Sequence, residues 1–139
     1  MGKILEYGCL LKIYTEEEEP QIINELSGIK GELRKKGLPK INPKTGVKMN
    51  TVYIENIWTL DSNYTDDILD LEKPLSNILD IIKGNDFDKI LSKYKYNLIC
   101  YAYVEDYNIY FTFSPKIFKQ LDELGIEILF DLYSFRTDD

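Results

Sequence analysis

The spacing of apolar residues along this chain changes several times between two periods. In residues 7–15 apolar side chains alternate, so that Cys9 and Leu11 share one face, as in a strand with one buried side. In residues 70–83 apolar side chains recur every three to four positions, as in an amphipathic helix. Because the two periods are intermixed along the chain, the sequence predicts a fold that layers helices against strands.

Five strands and four helices follow from this spacing and from the residues that begin and end each element. The predicted strands are residues 7–15, 50–61, 97–105, 108–113 and 126–135, and the predicted helices begin near Pro20, Asp70, Asn85 and Ser114. The third and fourth strands would form an antiparallel hairpin across Asp106 and Tyr107. This order predicts one α+β domain over residues 1–139. Its architecture would be a two-layer sandwich, with a mostly antiparallel sheet and helices packed on one face, and a ferredoxin-like arrangement is one form of it.

Residues 30–50, called the basic segment below, differ in composition from the rest of the chain. Glycine and proline are frequent there and apolar residues are few, which predicts a long loop or a loose hairpin. The basic residues of the segment are Lys30, Arg34, Lys35, Lys36, Lys40, Lys44 and Lys48, and its acid is Glu32. Seven basic residues and one acid give the segment a charge of +6, so the remainder carries −13 of a total of −7.

This charge separation has two interpretations. In one, the basic segment is a contact arm that binds an acidic patch on a protein partner or on a second copy of this chain. The residues assigned to the arm are Arg34, Lys35, Lys36, Lys40, Lys44 and Lys48. A homodimer formed head-to-tail in this way would weaken as salt is added. In the other interpretation, the segment is solvated or lies against acidic helices of its own chain, where exposed ion pairs contribute little.

Asp131 and Tyr133 lie close together in the last predicted strand, which is otherwise mostly apolar. A buried carboxylate needs hydrogen-bond partners, and Tyr133 or Arg136 could supply one. We interpret Asp131 as a hydrogen-bonded residue at a sheet edge; the alternative is that Asp131 and Tyr133 contact a partner. Trp58, the one tryptophan, lies on an apolar strand face and is interpreted as a core residue, with an interface anchor as the alternative.

The side chains that most catalytic and metal sites need are scarce. The chain has no histidine, which removes serine and cysteine catalysis with a histidine base and most zinc sites. Cys9 and Cys100 each lie in an apolar run and are expected to be buried, reduced thiols. The sequence has neither a glycine-rich phosphate loop nor the spacing of a calcium loop. We therefore expect no catalytic residues, no cofactor and no metal, and we do not expect an enzyme.

Charge and hydropathy limit the location and the partners. A net charge of −7 argues against nucleic-acid binding, which needs a basic face. No apolar run reaches the roughly 18 residues that span a bilayer, and the first residues lack the cleavage site of a signal peptide. We expect a cytoplasmic protein that binds no membrane and whose partner is a protein.

Several short motifs occur in a fixed order along the chain. They are Ile22 to Leu26 with Gly28-Ile29 in a short helix and its end, Lys36-Gly37 in a loop, Trp58-Thr59-Leu60 in a strand, and Asp131-Leu132-Tyr133 in the last strand. In this order and spacing the chain resembles a small bacterial family, domain of unknown function 4279. The resemblance implies the same succession of strand, helix, loop and strands, and it brings no catalytic residues.

Size, acidity and the absence of recognisable catalytic groups favour a protein-binding domain. Its most specific form would be an immunity protein, which neutralises a bacterial toxin by charge-matched docking on a basic nuclease. The alternative is a small-ligand-binding or regulatory domain, and an enzyme that uses carboxylates and tyrosines is a third alternative.

Overall fold

The structure, a computed structural model, describes residues 2–42 and 45–137. The strands are β1 (Lys3–Tyr14), β2 (Glu32–Arg34), β3 (Pro39–Ile41), β4 (Lys48–Val52), β5 (Ile57–Tyr64), β6 (Lys95–Glu105) and β7 (Leu129–Phe135). The helices are α1 (Gln21–Ser27), α2 (Glu72–Gly84), α3 (Phe87–Lys93) and α4 (Pro115–Leu124). Within the described residues, no helix is long and apolar enough to cross a membrane.

Five strands form one sheet in the order β2-β5-β1-β6-β7. The central strand β1 pairs antiparallel with both β5 and β6, β2 pairs antiparallel with β5, and β7 pairs parallel with β6. The predicted α+β class with a mostly antiparallel sheet is confirmed. The strand order differs from a ferredoxin-like sheet, because β6 and β7, which α4 connects, are direct neighbours rather than separated by another strand.

The core lies between the helices and one face of the sheet. On β1 the inward side chains include Leu11 and Ile13, and Leu98 of β6 lies beside them. Helix α2 contributes Leu75 and Leu79, which recur at helical spacing and are fully buried. The helices therefore cover one face of the sheet as predicted, and in the described residues the opposite face, called the uncovered face below, carries no helix.

The indole of Trp58 fixes three elements to one another. Its ring is fully buried, and its Nε1–H donates a hydrogen bond to Asn24 Oδ1 on α1 at 2.7 Å. The same oxygen accepts the Gly31 backbone N–H at 2.9 Å. A Cβ atom at Gly31 would lie 2.2 Å from the indole ring, so glycine is the residue that permits this approach. The interpretation of Trp58 as a core residue is confirmed.

The predicted hairpin between residues 97–105 and 108–113 is wrong. The first arm is β6, but residues 106–114 form no strand, and β7 takes the position beside β6 instead. Asp106 adopts a left-handed backbone conformation with φ of 49°, and its carboxylate accepts hydrogen bonds from Thr137. The apolar alternation that predicted a strand reflects aromatic packing, because Phe111 and Phe113 both stack on Phe130.

The predicted strand over residues 50–61 is two strands. It is interrupted between β4 and β5, where Asn56 Oδ1 accepts the Lys36 backbone N–H at 2.8 Å and Asn56 Nδ2 donates to the Glu16 carbonyl at 2.7 Å. These bonds turn the chain, so that β4 pairs with β3 in a separate two-stranded hairpin while β5 joins the main sheet. The basic segment therefore contains β2, β3 and the first part of β4, which agrees with a loose hairpin.

Candidate functional site

The uncovered face carries polar and aromatic side chains on neighbouring strands. One row across the sheet consists of Asn63 on β5, Gly8 on β1, Tyr101 on β6 and Asp131 on β7, each paired with the next. The same face continues with Glu6, Asp61 and Tyr103, and with Lys12 beside Thr59 and Asn97. The residues Glu6, Asp61, Asn63, Tyr101, Tyr103 and Asp131 are called the uncovered-face cluster below.

Gly8 makes room for the ring of Tyr101. A Cβ atom at Gly8 would lie 2.6 Å from the Tyr101 hydroxyl and 2.3 Å from the Ser62 carbonyl oxygen, so any larger residue would clash with both. With glycine there, the Tyr101 ring lies across β1 and is 6% exposed although it is on the uncovered face. Its hydroxyl thereby reaches from β6 to β5.

Hydrogen bonds link the side chains of the cluster in two groups, one across β1, β5 and β6 and the other across β6 and β7. The Tyr101 hydroxyl donates to Asp61 Oδ1 at 2.9 Å and accepts from Asn63 Nδ2 at 2.6 Å. Asn63 Nδ2 also lies 3.0 Å from Glu6 Oε2 on β1. The Tyr103 hydroxyl donates to Asp131 Oδ2 on β7 at 2.9 Å. The carboxylates are therefore held in place by neutral donors rather than by cations.

The carboxylates and phenols of the cluster shift one another's protonation. Burial raises the pKa of Asp61, the Tyr101 hydrogen bond opposes this, and the negative charges of Glu6 and Glu32 raise it further. Burial and the hydrogen bond to Asp131 raise the pKa of Tyr103 to about 12. Burial likewise raises the pKa of Tyr101. The face thus combines negative charge with hydroxyl groups that stay protonated at neutral pH.

This arrangement favours binding of positively charged groups. In the part of the chain that the structure describes, Glu6, Asp61 and Asp131 form no ion pair. A carboxylate that has no cationic partner in its own chain attracts a positive charge from a binding partner, and several on one face reinforce one another. Within the same described residues, no group of histidine, cysteine or carboxylate side chains has an arrangement that could hold a metal ion.

The structure separates the residues that the sequence placed at a partner-binding site. Asp131 and Tyr133 lie on the edge strand β7, whereas the basic residues lie at or beyond the opposite edge. Their positions are Arg34 in β2, Lys35 and Lys36 directly after it, Lys40 in β3 and Lys48 in β4, while Lys44 lies outside the described residues. The predicted residues therefore belong to two surfaces and not to one site.

The surroundings of Asp131 differ in two respects from those predicted from the sequence. It lies at a sheet edge and accepts a hydrogen bond, but the donor is Tyr103 and not Tyr133 or Arg136. Its side chain is exposed rather than buried, because no strand lies beyond β7 among the described residues. Tyr133 is 58% exposed on the same face.

The basic segment is partly engaged with its own chain. Lys35 Nζ lies 3.3 Å from Glu19 Oε2, and the Arg34 guanidinium lies 5.9 Å from the centre of the Tyr53 ring. The hairpin of β3 and β4 also exposes apolar side chains, which the sequence interpretation missed. They are Leu38, Ile41, Val47, Met49, Val52 and Ile54, each between 47% and 79% exposed.

Sequence reasoning also missed most of the uncovered-face cluster. Alternation in β6 did place Tyr101 and Tyr103 on the face opposite Cys100. Alternation in β5 gives a weaker signal, because the polar positions Asp61 and Asn63 lie beyond or at the end of the strand predicted from the sequence. Which strands are neighbours, and in which register, is set by contacts distant in sequence.

One comparison with known proteins agrees with the motif order. No curated protein and no solved structure shows a significant match to this chain. A family described as Domain of unknown function (DUF4279) matches residues 5–135, which is nearly the whole chain. The resemblance that the motifs suggested is therefore confirmed, and the chain belongs to the DUF4279 family.

Proposed function

We propose that this chain is a bacterial protein-binding domain that docks a basic protein partner on its uncovered face, and that its most specific form is an immunity protein neutralising a toxin. The observation that carries this proposal is that Glu6, Asp61 and Asp131 share that face and form no ion pair among the described residues, although Lys12 lies on the same face. A basic toxin, such as a nuclease, would supply the missing positive charges.

The position of the cluster suits protein binding. No helix covers this face in the described residues, and its central strand β1 is paired with β6 over its whole length and with β5 from Tyr7 to Tyr14. Tyrosine and carboxylate side chains that are already fixed by hydrogen bonds lose little conformational entropy when a partner binds. Tyr101 and Tyr103 stack with ring centroids 5.5 Å apart, which fixes them further.

The remaining properties follow from charge. With a net charge of −7 and a cluster of carboxylates on its open face, the domain repels phosphate and anionic lipid headgroups. We therefore infer that it binds neither nucleic acid nor membrane, and we retain the proposal of a cytoplasmic location on the grounds given in the sequence analysis. No chemical step is assigned to the cluster, since its carboxylates and phenols are already hydrogen-bonded to one another in the described residues.

Co-expression with a toxin tests the proposal. The probe is the toxin domain encoded beside the gene for this chain, and the readouts are growth of the host and the dissociation constant of the purified complex. The double variant Glu6→Gln with Asp61→Asn is expected to weaken the complex roughly 10- to 100-fold, as for loss of two interfacial charges, and to abolish protection.

A charge-matched control distinguishes the effect of carboxylates on the uncovered face from the effect of the total negative charge. Glu25 on α1 and Asp122 on α4 are exposed on the helix side, and replacing both by their amides removes the same charge. This control should bind as the unchanged chain does. If both double variants bind equally well, the uncovered face is not the docking surface; if the neighbouring product forms no complex, the immunity function is overturned.

A second candidate function, binding of a small organic cation, is favoured by a hollow on the helix side of the molecule. The hollow has a volume of about 650 Å³ and is lined by Tyr110, Phe111 and Phe113 together with Asp70 and Glu72. Aromatic rings combined with carboxylates are the surroundings that bind ammonium groups through cation–π attraction. Glu72 Oε1 accepts a hydrogen bond from the Ser114 backbone N–H at 2.5 Å, and this bond orients the Glu72 carboxylate.

Titration with tetramethylammonium, followed by NMR, tests this second function. Saturable shifts of the Tyr110 and Phe111 amides are expected, and Tyr110→Ala should weaken them because Tyr110 is 77% exposed at the rim of the hollow. Tyr107→Ala is a control outside the lining. Shifts that do not saturate, or that Tyr110→Ala leaves unchanged, would rule the hollow out as a cation site.

A further inference from the structure

The outer edge of β7 is an unusual surface for a monomer. It ends the five-stranded sheet, and no described residue forms a strand beyond it. Its seven residues include Leu129, Phe130, Leu132 and Tyr133, which are 38–58% exposed. Natural edge strands are usually protected by charge, proline, bulges or short length. β7 has one charged residue, Asp131, contains no proline, and pairs with β6 without a shift of register.

The opposite edge of the sheet has the protection that β7 lacks. Strand β2 is three residues long and carries two charged residues, Glu32 and Arg34. The hairpin of β3 and β4 follows it directly in the chain. Only one of the two edges is therefore long and apolar, and such an edge is suited to pairing with a strand of another chain.

We propose that β7 pairs antiparallel with β7 of a second copy of this chain, about a two-fold axis through Leu132, to give one continuous ten-stranded sheet. Such an interface is isologous, because the same strand is used by both copies. The proposal does not rest on the function proposed above. It engages Asp131 of the uncovered-face cluster and leaves Glu6 and Asp61 open on the continuous face.

The register follows from complementarity on the uncovered face. With the axis at Leu132, Asp131 of each copy lies opposite Tyr133 of the other, and Leu129 lies opposite Phe135. One oxygen of Asp131 accepts from Tyr103, and the other has no donor among the described residues. The Tyr133 hydroxyl likewise has no acceptor in the part of the chain described. The pairing therefore places the free Asp131 oxygen of each copy opposite the free Tyr133 hydroxyl of the other copy, so the interface contains two such pairs.

Neighbouring registers lack this match. An axis at Asp131 would place the two Asp131 carboxylates directly opposite each other, which is destabilising. An axis at Tyr133 would place Asp131 opposite Phe135 and leave its second oxygen without a donor. A shift by one residue would turn the uncovered face of one copy toward the helix side of the other. Leu132 is thus the axis that the side chains favour.

The helix side of the edge supports the same pairing. Phe130 packs against Phe111 and Phe113, with ring centroids 5.7 and 6.1 Å apart, and Phe113 contacts Phe118 of α4 at 6.1 Å. Phe118 and Phe130 nevertheless remain 59% and 49% exposed. A second copy paired along β7 would shield this aromatic patch from water, which contributes roughly 25 cal/mol for each Å² of apolar surface buried.

Salt distinguishes this dimer from the head-to-tail dimer that the charge separation suggested. Two chains of charge −7 repel each other, so screening should leave the β7 dimer unchanged or strengthen it. Pairing of the basic segment with an acidic body would instead weaken as salt is added. The direction of the salt effect therefore identifies the mode of association.

Sedimentation velocity over a range of protein and salt concentrations measures the dimer and so tests the proposal. The variants place opposite charges at one position, residue 133. Tyr133→Glu puts two pairs of like charges across the interface and should weaken the dimer at least about tenfold. Tyr133→Lys puts two pairs of opposite charges there and should preserve the dimer. Adding Asp131→Lys to Tyr133→Glu should restore it. Ile54→Glu, an exposed apolar position near the opposite edge, is the matched control and should have no effect.

Disulfide cross-linking checks the register independently. In Leu132→Cys the introduced thiols would face each other across the axis and join two chains when a mild oxidant is added. In Ser134→Cys each thiol would lie opposite Phe130, so the chains should stay separate. The native Cys9 and Cys100 are fully buried and should not contribute. A monomer under all conditions, a dimer that salt dissociates, or equal effects of Tyr133→Glu and Tyr133→Lys would each overturn the proposal.

Discussion

The two faces of the sheet use the same strands for different purposes. On the face that the helices cover, β1 and β6 present Cys9, Leu11, Leu98 and Cys100, all buried and apolar. On the uncovered face the same two strands present Glu6, Gly8, Tyr101 and Tyr103 among others, joined by hydrogen bonds. Burial therefore stabilises the fold from one side, while the other side carries charged and hydrogen-bonding groups.

The largest expected difference between the faces is chemical access. Cys9 and Cys100 are cross-strand partners at zero exposure, and their mutual hydrogen bond together with burial raises the pKa of Cys9. We expect a thiol reagent to label both only through unfolding, roughly a thousandfold or more slower than an exposed thiol. Asn63→Cys supplies that exposed thiol on the uncovered face. Rapid labelling of native Cys9 or Cys100 would show that the covered face opens readily.

Two adjacent leucines of β1 allow the contribution of each face to the free energy of unfolding to be compared. Leu11 is fully buried against the helices, whereas Leu10 is partly exposed on the uncovered face. Leu11→Ala should lower the free energy of unfolding by about 2–5 kcal/mol, because it removes buried methyl groups and leaves a cavity. Leu10→Ala should cost about 1 kcal/mol or less. Urea unfolding of both variants measures the difference, and equal losses would contradict the distinction between the faces.

Two glycines test whether the uncovered face is packed as tightly as the Tyr101 geometry implies. Gly8→Ala should destabilise the fold by about 1–3 kcal/mol, since the new methyl group would overlap the Tyr101 hydroxyl and the Ser62 carbonyl. Gly84, at the end of α2, has open space around it, and Gly84→Ala should raise stability by up to about 1 kcal/mol. Thermal unfolding of the two variants measures these changes in stability. If Gly8→Ala leaves the stability unchanged, the Tyr101 ring can move aside freely.

The smallest expected effect concerns the charge of Asp61. Its pKa is raised in the folded protein, mainly by burial, so the folded state binds the Asp61 proton more tightly than the unfolded state. The stability that this proton contributes is present below the ordinary pKa of aspartate, near 3.9, and is lost as the pH rises through the raised value. Asp61→Asn should therefore raise stability at neutral pH, by less than about 1 kcal/mol since the side chain is partly solvated.

The pH profile provides the check for Asp61. The advantage of Asp61→Asn should disappear at acidic pH, where the native carboxyl is protonated in both states. If the variant is instead less stable at neutral pH and equal at low pH, the Tyr101 hydrogen bond outweighs burial and the direction assigned to Asp61 is wrong.

Local patterns in the sequence predicted the helices and strands in which the apolar residues recur along one buried face. The helix predicted over residues 70–83 is α2 at Glu72–Gly84, and Ser114-Pro115 begins α4 as expected. The layering of helices on one face of a mostly antiparallel sheet is likewise encoded by alternation along single strands. Each of these features depends on neighbours within a few positions of the chain, which is the range over which periodicity is informative.

The features that the sequence did not predict depend on distant pairs. Gly8 and Tyr101 are cross-strand neighbours although more than ninety positions separate them, and nothing near Gly8 indicates that a ring will lie over it. The failed hairpin shows the opposite error, since Phe111 and Phe113 alternate as in a strand but pack on Phe130. Alternation records that side chains point to one side; it does not record which element they meet.

The central place of β1 affects synthesis of the protein on the ribosome. β1 ends at Tyr14, yet one of its two partners, β6, begins only at Lys95. At about 5–20 residues per second, the nascent β1 waits several seconds with that edge unpaired. Pairing with β5 can satisfy the other edge earlier, but the apolar side of Leu11 and Ile13 stays open until α2 and β6 arrive. A strand that is paired on both sides in the finished molecule is thus exposed for several seconds while the chain is being made.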